Sequence, residues 1–465
     1  MSAKAQFDTG LVSRAVALAL KDGAAYADST LEHTRMEGYS LRDGILEAAA
    51  SGEDVILRVR ILKNRYLYTL SINWPTGERL SGMLGNLKGF REQGQTSIDP
   101  EGTYKSNYRI PEKEAMSDGA LLRSFTKEDS NIAKVKYLKF RYGGVDYEKV
   151  HRYFENSEGS SIESSIPKTS VFYSIVVDAG SNTRQYIFQH GATGGLEGFE
   201  RSGLSEKVKD KAKSMKEVME KGVNINKRMK NVVIAPEITG IAVHESIGHP
   251  SEADRVLGRE AAQAGLSYLT KDNLGMRIGS EAVTICDDPT IKGSAGFYLY
   301  DDEGVKARKR ILVKDGIQNE LLQNRETAAV FGTRSNGSAR SSDAGKEPLI
   351  RMANTYLEPD RRNSLDDLIA EARNGVYVKS FTEWNIDDTR SFSKYQGNEV
   401  YLIENGKLGK PVKNFALETT TLNFWNSVKM VGDEFELVYG RCGKGEPMQD
   451  APTNMGGASA LLTFK

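Results

Sequence analysis

The stretch "NVVIAPEITGIAVHESIGHP", residues 231–250, divides the chain into two regions of different character. Its first five residues are almost all apolar and predict a short strand. Pro236 then suits the first turn of a helix, because the N–H that proline lacks would have no partner there. We therefore predict a helix from about Glu237 to Gly248, followed by a region rich in strand patterns.

The predicted helix carries "HESIGH", in which a glutamate directly follows the first of two histidines. Imidazole nitrogens are zinc ligands, and water on such an ion loses its proton near neutral pH. A neighbouring carboxylate can accept that proton and pass it to a leaving amine. His244, Glu245 and His249 therefore indicate a metal-dependent peptidase with Glu245 as the general base.

The spacing of the two histidines differs from the familiar H-E-x-x-H motif by one residue. On a regular helix, residues four apart differ by about 40° of rotation and residues five apart by about 140°. His244 and His249 would then not face one ion. Either a π-bulge absorbs the extra residue, or the helix ends at Gly248 and His249 turns in from the exit. Pro250 favours the second alternative, because a residue before proline is pushed away from the helical region.

A third ligand is needed to complete a metal site. Glu252 and Asp254 follow the motif closely, and the chain has two cysteines, Cys286 and Cys442. Cys286 lies in "AVTICDD", which is typical of a packed strand. Cys442 ends a predicted strand in "YGRCGKGEP", where glycines allow a close approach of the backbone. We favour Cys442, although the sequence alone does not force this choice.

Composition limits the classes of function. The 465 residues contain 63 Lys and Arg against 63 Asp and Glu, and this balance argues against nucleic acid as the main partner. No apolar run is long enough to span a membrane. Two distant cysteines give no disulfide framework and are typical of a reducing compartment, so we expect a cytoplasmic protein with no membrane partner.

The pattern of elements predicts an α+β fold with antiparallel β-rich domains and a few packed helices. We expect an N-terminal α+β domain over 1–228, with a first helix, a β-meander, a long loop at about 75–118, further strands and a charged helix at about 205–229. A C-terminal β-rich domain over 229–465 would carry the metal motif on a distorted or terminated helix.

For the other polar residues that could form a site, an acidic run and three histidines, we predict ordinary structural roles. The acidic run Asp301–Glu303 resembles a cation site, but such runs are more often solvated turns, and we predict the latter. His33, His151 and His190 have no partner pattern and are interpreted as ordinary polar residues.

Together the motifs resemble the TldD/PmbA family, in its metal-bearing TldD-like branch. The stretches that carry the resemblance follow one another over residues 231–447: "PEITGIAVHESIGH", "GSAGFYLYDDEGVKARKRILVKDG", "LLQNRETAAVFG", "RMANTYLEPD", "NGVYVKSF", "YLIENGKLGKPVK" and "RCGKGEP". The resemblance implies a metalloprotease that cleaves unfolded peptides. It implies His244, His249 and Cys442 as ligands of one divalent ion, zinc or else iron, with Glu245 as base.

The resemblance also implies assembly with a TldE/PmbA-like sister subunit that lacks the motif, or pairing of two copies as a homodimer. Two other functions compete with a peptidase. A non-catalytic scaffold subunit of such a complex would be expected to have lost the histidines, and a modulator of DNA gyrase, an older name within the family, is opposed by the neutral charge.

Overall fold

The computed structural model describes residues 7–85, 93–113, 116–117, 119–180, 182–225, 228–260 and 265–465. Strands and helices are segregated along the chain more than they alternate, so the fold is α+β, as predicted. None of the described helices is long and apolar enough to cross a membrane. The helices are α1 (Gly10–Lys21), α2 (Gly77–Gly85), α3 (Ala120–Ile132), α4 (Leu196–Glu200), α5 (Leu204–Lys221), α6 (Pro236–Val243), α7 (Ala253–Val256), α8 (Arg325–Phe331), α9 (Leu365–Ala372) and α10 (Thr421–Asn426).

One large sheet occupies the N-terminal half, with strand order β3-β2-β1-β5-β6-β4 and β7 paired with β6. All of its pairs are antiparallel except β4 with β6. Alternating apolar residues such as Val55 and Leu57 face the core formed with α1. The strands are β1 (Tyr26–Arg42), β2 (Ile45–Lys63), β3 (Tyr66–Asn73), β4 (Lys105–Arg109), β5 (Leu138–Asn156), β6 (Ser161–Asp178) and β7 (Thr183–Thr193).

The C-terminal half contains a six-stranded sheet of order β11-β10-β9-β14-β21-β20 and a sheet of order β17-β16-β15-β8-β22-β19, in which β18 pairs with β16. A short pair, β12 with β13, lies apart from them. The strands are β8 (Asn231–Ile234), β9 (Ile285–Asp287), β10 (Arg310–Lys314), β11 (Ile317–Gln318), β12 (Ala339–Arg340), β13 (Leu349–Ile350), β14 (Asn354–Leu357), β15 (Gly375–Ile386), β16 (Phe392–Glu404), β17 (Lys407–Val412), β18 (Ala416–Thr420), β19 (Val428–Val431), β20 (Glu436–Lys444), β21 (Gln449–Gly457) and β22 (Ala460–Thr463).

Helix α6 lies against β21 where Gly240 meets Gly456, and Gly456 also lies against the backbone of β20. A Cβ atom on Gly240 would lie 2.8 Å from the backbone nitrogen of Gly456. A Cβ atom on Gly456 would lie 1.9 Å from the carbonyl oxygen of Glu436. Because backbone atoms cannot move aside as a flexible side chain can, these close approaches require glycine. They bring the end of α6 next to β20, the strand that carries Cys442.

The predicted loop at 75–118 is wrong in part, because it contains α2 and β4. Leu80 and Leu84 of α2 are buried against the core of α1, β1 and β2. β4 pairs in parallel with β6, a long-range contact that a local pattern does not reveal. Residues 86–92, 114, 115 and 118 of that segment lie outside the described residues.

The predicted charged helix is confirmed as α5, which ends at Lys221 rather than near 229. Its apolar face, with Val208, Ala212, Met215 and Met219, is buried as the helical spacing predicts. Residues 226 and 227 lie outside the described part of the chain. The predicted domain boundary near 228 falls between α5 and β8, and it stays a prediction.

The prediction of a solvated turn at Asp301–Glu303 is wrong, because all three carboxylates are buried. Asp302 and Glu303 join the two halves of the chain through Arg58, Arg60 and Arg152 of the N-terminal half. We call the acidic run, these arginines and Arg325 the inter-sheet ion network. Its contacts are Arg58 Nη2 to the Asp302 carbonyl oxygen (2.8 Å), Arg60 Nη2 to Glu303 Oε1 (2.7 Å), Arg152 to Asp302 and Glu32, and the Arg325 backbone N–H to Glu303 Oε2 (2.7 Å). Side chains far apart in sequence bury this run, which local patterning does not predict.

Candidate metal centre

A π-helical turn separates the two histidines of the motif. α6 continues into this turn over His244–Gly248, and the backbone N–H of His249 donates to the carbonyl oxygen of His244, five residues earlier. A 3₁₀ turn over His249–Ser251 follows. The prediction that His249 does not share a regular α-helical turn with His244 is confirmed, and of the two alternatives the structure adopts the π-bulge.

The expectation that Pro250 pushes His249 out of the helical region is wrong. His249 keeps helical dihedral angles, φ −60° and ψ −46°. The preference before proline is steric and modest. Here the chain tightens into the 3₁₀ turn, in which Pro250 occupies an early position where its missing N–H leaves no acceptor without a partner.

Side chains around the π turn satisfy the polar groups that the bulge displaces. The hydroxyl of Tyr268 donates to the carbonyl oxygen of Ser246 at 2.9 Å. The Ser246 hydroxyl donates to the carbonyl oxygen of Ala242 at 2.6 Å and accepts from the Trp425 indole N–H at 2.9 Å. Since a buried group without a partner costs free energy, these bonds stabilise the irregular turn in one geometry.

The bulge brings His244 and His249 to one side, where Cys442 of β20 meets them. The three ligand atoms all lie within 4.8 Å of one another, and all three residues are buried. The Sγ atom of Cys442 is 3.5 Å from Nε2 of His249, and the two imidazole rings lie with centroids 4.9 Å apart at 78°. Two imidazoles and one thiolate are three protein ligands of a kind that zinc accepts.

The orphaned polar atoms of this cluster fit a metal ion. Among the described residues, Nδ1 of His244 is buried without a hydrogen-bond partner. A buried nitrogen of this kind is expensive unless a proton donor or an ion satisfies it. The donor set and its burial therefore fit a single ion held between His244, His249 and Cys442.

A carboxylate behind His249 fixes the orientation of its ring. Oε2 of Glu252 lies 3.1 Å from Nδ1 of His249, which leaves Nε2 free to face the cluster. Glu252 also contacts Arg255 and Lys444, and Lys444 in turn lies 2.8 Å from Asp254. Of the possible third ligands Glu252 and Asp254, both contact these cations, Glu252 through Oε2, while its Oε1 is buried without a hydrogen-bond partner among the described residues. A carboxylate that holds the far nitrogen of a ligand histidine is a common feature of metal sites.

Burial and neighbouring charges prepare the three residues to bind a cation. Burial lowers the pKa of both His244 and His249, which keeps the imidazoles neutral. Burial alone would raise the pKa of the Cys442 thiol, but the proximity of His249 and Arg351 lowers it overall. Burial likewise opposes ionisation of Glu252, whereas Lys444, Arg255 and His249 hold its pKa well below the usual value. Metal ligands must be deprotonated, and these directions favour that state.

Glu245 follows His244 in the π turn, and its carboxylate contacts an arginine that sequence reasoning missed. Nη1 of Arg390 contacts Oε2 of Glu245, with 14% of the Arg390 side chain and 8% of the Glu245 side chain exposed. Arg390 lies in the connection between β15 and β16, within "DDTRSF". A polar turn between two strands is too common to single out one arginine, so no local signal could have identified it.

The other cysteine and histidines lie apart from this cluster. Cys286 is buried in β9, where its thiol donates to Glu358 at 3.0 Å, and burial raises its pKa. The prediction of a packed strand at Cys286 is confirmed. His33 contacts Glu53, His151 lies 2.8 Å from Glu163, and His190 lies 3.2 Å from the carbonyl oxygen of Gly198; these are ordinary polar contacts, as predicted.

Comparisons with known proteins agree with the resemblance. The family described as "PmbA/TldA metallopeptidase C-terminal domain" matches residues 226–463. A metalloprotease of Methanothermobacter thermautotrophicus is 32% identical over 443 residues, 94% of each chain. A zinc metalloprotease TldD homolog of Saccharolobus solfataricus is 32% identical over 214 residues, 46% of each chain. The crystal structure of TldE from Thermococcus kodakarensis matches with a TM-score of 0.73 at 16% identity, covering 98% of this chain and 99% of that one, and so shares the fold. The chain therefore belongs to the PmbA/TldD family of metallopeptidases.

Proposed function

We propose that the protein is a metal-dependent peptidase that hydrolyses peptide bonds in unfolded or extended peptides. The observation that carries this proposal is the convergence of ligand atoms of His244, His249 and Cys442 within 4.8 Å of one another, with Glu245 next to His244 in the π turn. The zinc metalloprotease name of one relative supports zinc as the ion, with iron as the other candidate. When bound, such an ion supplies a Lewis acid that polarises the substrate carbonyl and lowers the pKa of a water molecule.

The side chains divide the remaining work. Neutral imidazoles of His244 and His249 and the thiolate of Cys442 hold the ion, and Glu252 fixes the ring of His249. Glu245 accepts a proton from the attacking water on its carboxylate and then delivers it to the amine nitrogen of the leaving peptide. Burial of the site limits access of bulk water, which strengthens these charge interactions.

The position of Cys442 supports an extended peptide as the substrate. β20 is the last strand in the order of its six-stranded sheet in the described chain, and strand addition takes place at such an edge. An extended peptide could pair with β20 through main-chain hydrogen bonds, which tolerate many sequences. A folded substrate would have to present an unpaired edge strand to bind in this way.

We further propose that the protein works in an assembly with a TldE-like sister subunit or with a second copy of itself. The fold that it shares with TldE supports the first arrangement. Two free cysteines suit a reducing compartment such as the cytoplasm.

The proposal is tested by three measurements on protein purified without chelator. Mass spectrometry gives the metal content, native mass spectrometry gives the subunits, and digestion of an unfolded peptide gives the activity. We expect one ion per chain, and we expect Glu245→Gln to keep the ion and the fold while losing hydrolysis. Glu371→Gln, which alters an exposed ion pair with Lys429, is the matched control.

Two results would contradict the proposal in different ways. Hydrolysis at the native rate by Glu245→Gln would remove Glu245 from the mechanism. Protein with neither bound metal nor hydrolysis, alone or with its sister subunit, would favour the non-catalytic scaffold.

A further inference from the structure

The contact between Arg390 and Glu245 places a permanent positive charge beside the proposed general base. Nη1 of Arg390 contacts Oε2 of Glu245, one of the two oxygens of that carboxylate. A guanidinium carries five N–H donors, and here one is committed to Glu245. In the described part of the chain, Nε of Arg390 is buried and has no hydrogen-bond partner. Arg390 therefore has donor capacity beyond what Glu245 uses.

The backbone holds Arg390 in an unfavourable but well-fixed conformation. Its φ angle is +65°, in the left-handed region that residues other than glycine rarely adopt. Its N–H donates to the carbonyl oxygen of Asp387 at 3.0 Å, and its carbonyl oxygen accepts from the Thr421 hydroxyl at 2.6 Å. Strain of this kind persists where the surroundings determine the geometry, and it is concentrated at functional sites.

The chemistry of amide hydrolysis suggests a role for Arg390 besides its contact with Glu245. As water attacks, negative charge develops on the carbonyl oxygen of the scissile bond. A fixed, buried cation next to that oxygen stabilises the charge without reorganising at the moment of reaction.

We propose that Arg390 is a catalytic residue that donates a hydrogen bond to the scissile carbonyl oxygen and stabilises the oxyanion that forms there. This role rests on the proposed peptidase function. The water oxygen bonds to the carbonyl carbon, the C=O electron pair moves to the oxygen beside Arg390, and the water proton goes to Glu245. When the C=O bond re-forms, the C–N bond breaks and Glu245 returns the proton to the amine nitrogen.

The experiment compares wild type with Arg390→Ala and Arg390→Lys, and uses Arg362→Ala as the matched control, since the side chain of Arg362 is 86% exposed. Five quantities are measured for each protein: metal content, melting temperature, kcat and KM for one unfolded peptide, and the calorimetric Kd of a phosphinic analogue of that peptide. The phosphinate is a tetrahedral anion and so imitates the charge that Arg390 would stabilise, and its binding is independent of turnover.

We expect Arg390→Ala to lower kcat by about 10²–10³-fold with KM little changed, as loss of a donor to the transition state does. Binding of the phosphinic peptide should weaken in proportion to kcat/KM. Arg390→Lys should recover part of the lost kcat and part of the lost affinity for the phosphinic peptide. Added guanidinium should raise kcat of Arg390→Ala. Metal content and melting temperature should match those of Arg362→Ala.

Three results would overturn the proposal. Wild-type kcat in Arg390→Ala would show that the arginine is dispensable. A change in KM alone would assign it to substrate binding. Loss of metal or of melting temperature in both Arg390 variants would make it a structural residue. If the wild-type protein cleaves no peptide, the proposed function itself fails, and that outcome is distinct from all three.

Discussion

The metal centre and the inter-sheet ion network are both buried clusters of titratable side chains, and they arrange their charges in opposite ways. In the network, carboxylates meet cations: Nη2 of Arg60 lies 2.7 Å from Oε1 of Glu303, and Arg152 contacts both Asp302 and Glu32. In the candidate metal centre, the ligand atoms of His244, His249 and Cys442 lie within 4.8 Å of one another.

This difference separates a structural cluster from a functional one. A buried charge is tolerated when its partners lie in the same structure, and such a cluster needs nothing more. Buried ligand atoms that face one another, such as two imidazole nitrogens and a thiol sulfur, are stabilised when a cation binds between them. Burial and perturbed pKa values are common to both clusters, so neither property alone identifies a site.

The largest effect that we expect comes from removing a ligand. His249→Ala should lose the bound ion and lower peptide hydrolysis by about 10³-fold or more, because the ion supplies much of the rate enhancement. Elemental analysis and a peptide digestion assay check this. His151→Ala, which alters a histidine–glutamate contact in the N-terminal sheet, should keep both metal and activity. Full metal content in His249→Ala would contradict the assignment of the centre.

Substitutions in the inter-sheet ion network should lower the stability of the protein and leave its peptidase activity unchanged. Arg60→Ala leaves Glu303 and Asp28 buried without their cation, which should lower the free energy of unfolding by about 3–5 kcal/mol. Arg308→Ala breaks a pair with Glu320 in which the arginine is 54% exposed, and it should cost no more than about 1 kcal/mol. Denaturant unfolding measures both. Equal losses would show that burial of the network does not matter.

The sequence predicts the two clusters unequally, and the reason is physical. The histidines and their irregular turn follow from local spacing in "HESIGH", and the family resemblance supplies Cys442 from a strand almost 200 residues away. The ion network depends on which strands of two sheets come together, so the acidic run at 301–303 gives no indication of its burial. The sequence does not identify Arg390 as a partner of Glu245 for the same reason, because only the fold brings its turn to Glu245.

The elements of the fold likewise divide into those that local patterns predict and those that depend on distant contacts. Alternating strands such as β2 and the amphipathic helix α5 were predicted because their patterns are local. Helix α2 and strand β4 were missed inside the expected loop, because their stability comes from packing and pairing with distant residues.

The next prediction tests whether Glu252 supports metal binding through His249 or only pairs with Lys444 and Arg255. Glu252→Gln keeps the shape of the side chain but weakens its hold on the His249 ring, and metal affinity should fall by about 10–100-fold. Competition with a chelating dye measures the affinity. Glu358→Gln, a carboxylate that contacts Cys286 and Lys309 instead, is the matched control and should bind metal normally. Unchanged affinity in Glu252→Gln would limit Glu252 to pairing with Lys444 and Arg255.

The smallest effect concerns His190, a histidine outside both clusters that shows what burial alone does. Burial lowers its pKa from 6.5 to about 4, so the folded protein holds this ring neutral while the unfolded chain protonates it. Between these two values the unfolded state binds more protons, and stability falls as the pH decreases from 6.5 towards 4. His190→Gln should remove about 2 kcal/mol of that fall. Denaturant unfolding of metal-free protein at several pH values measures it, since metal would add proton competition at His244 and His249. Parallel pH profiles for wild type and His190→Gln would contradict the effect and assign the acid sensitivity of the metal-free protein to the metal-centre histidines or to the ion network.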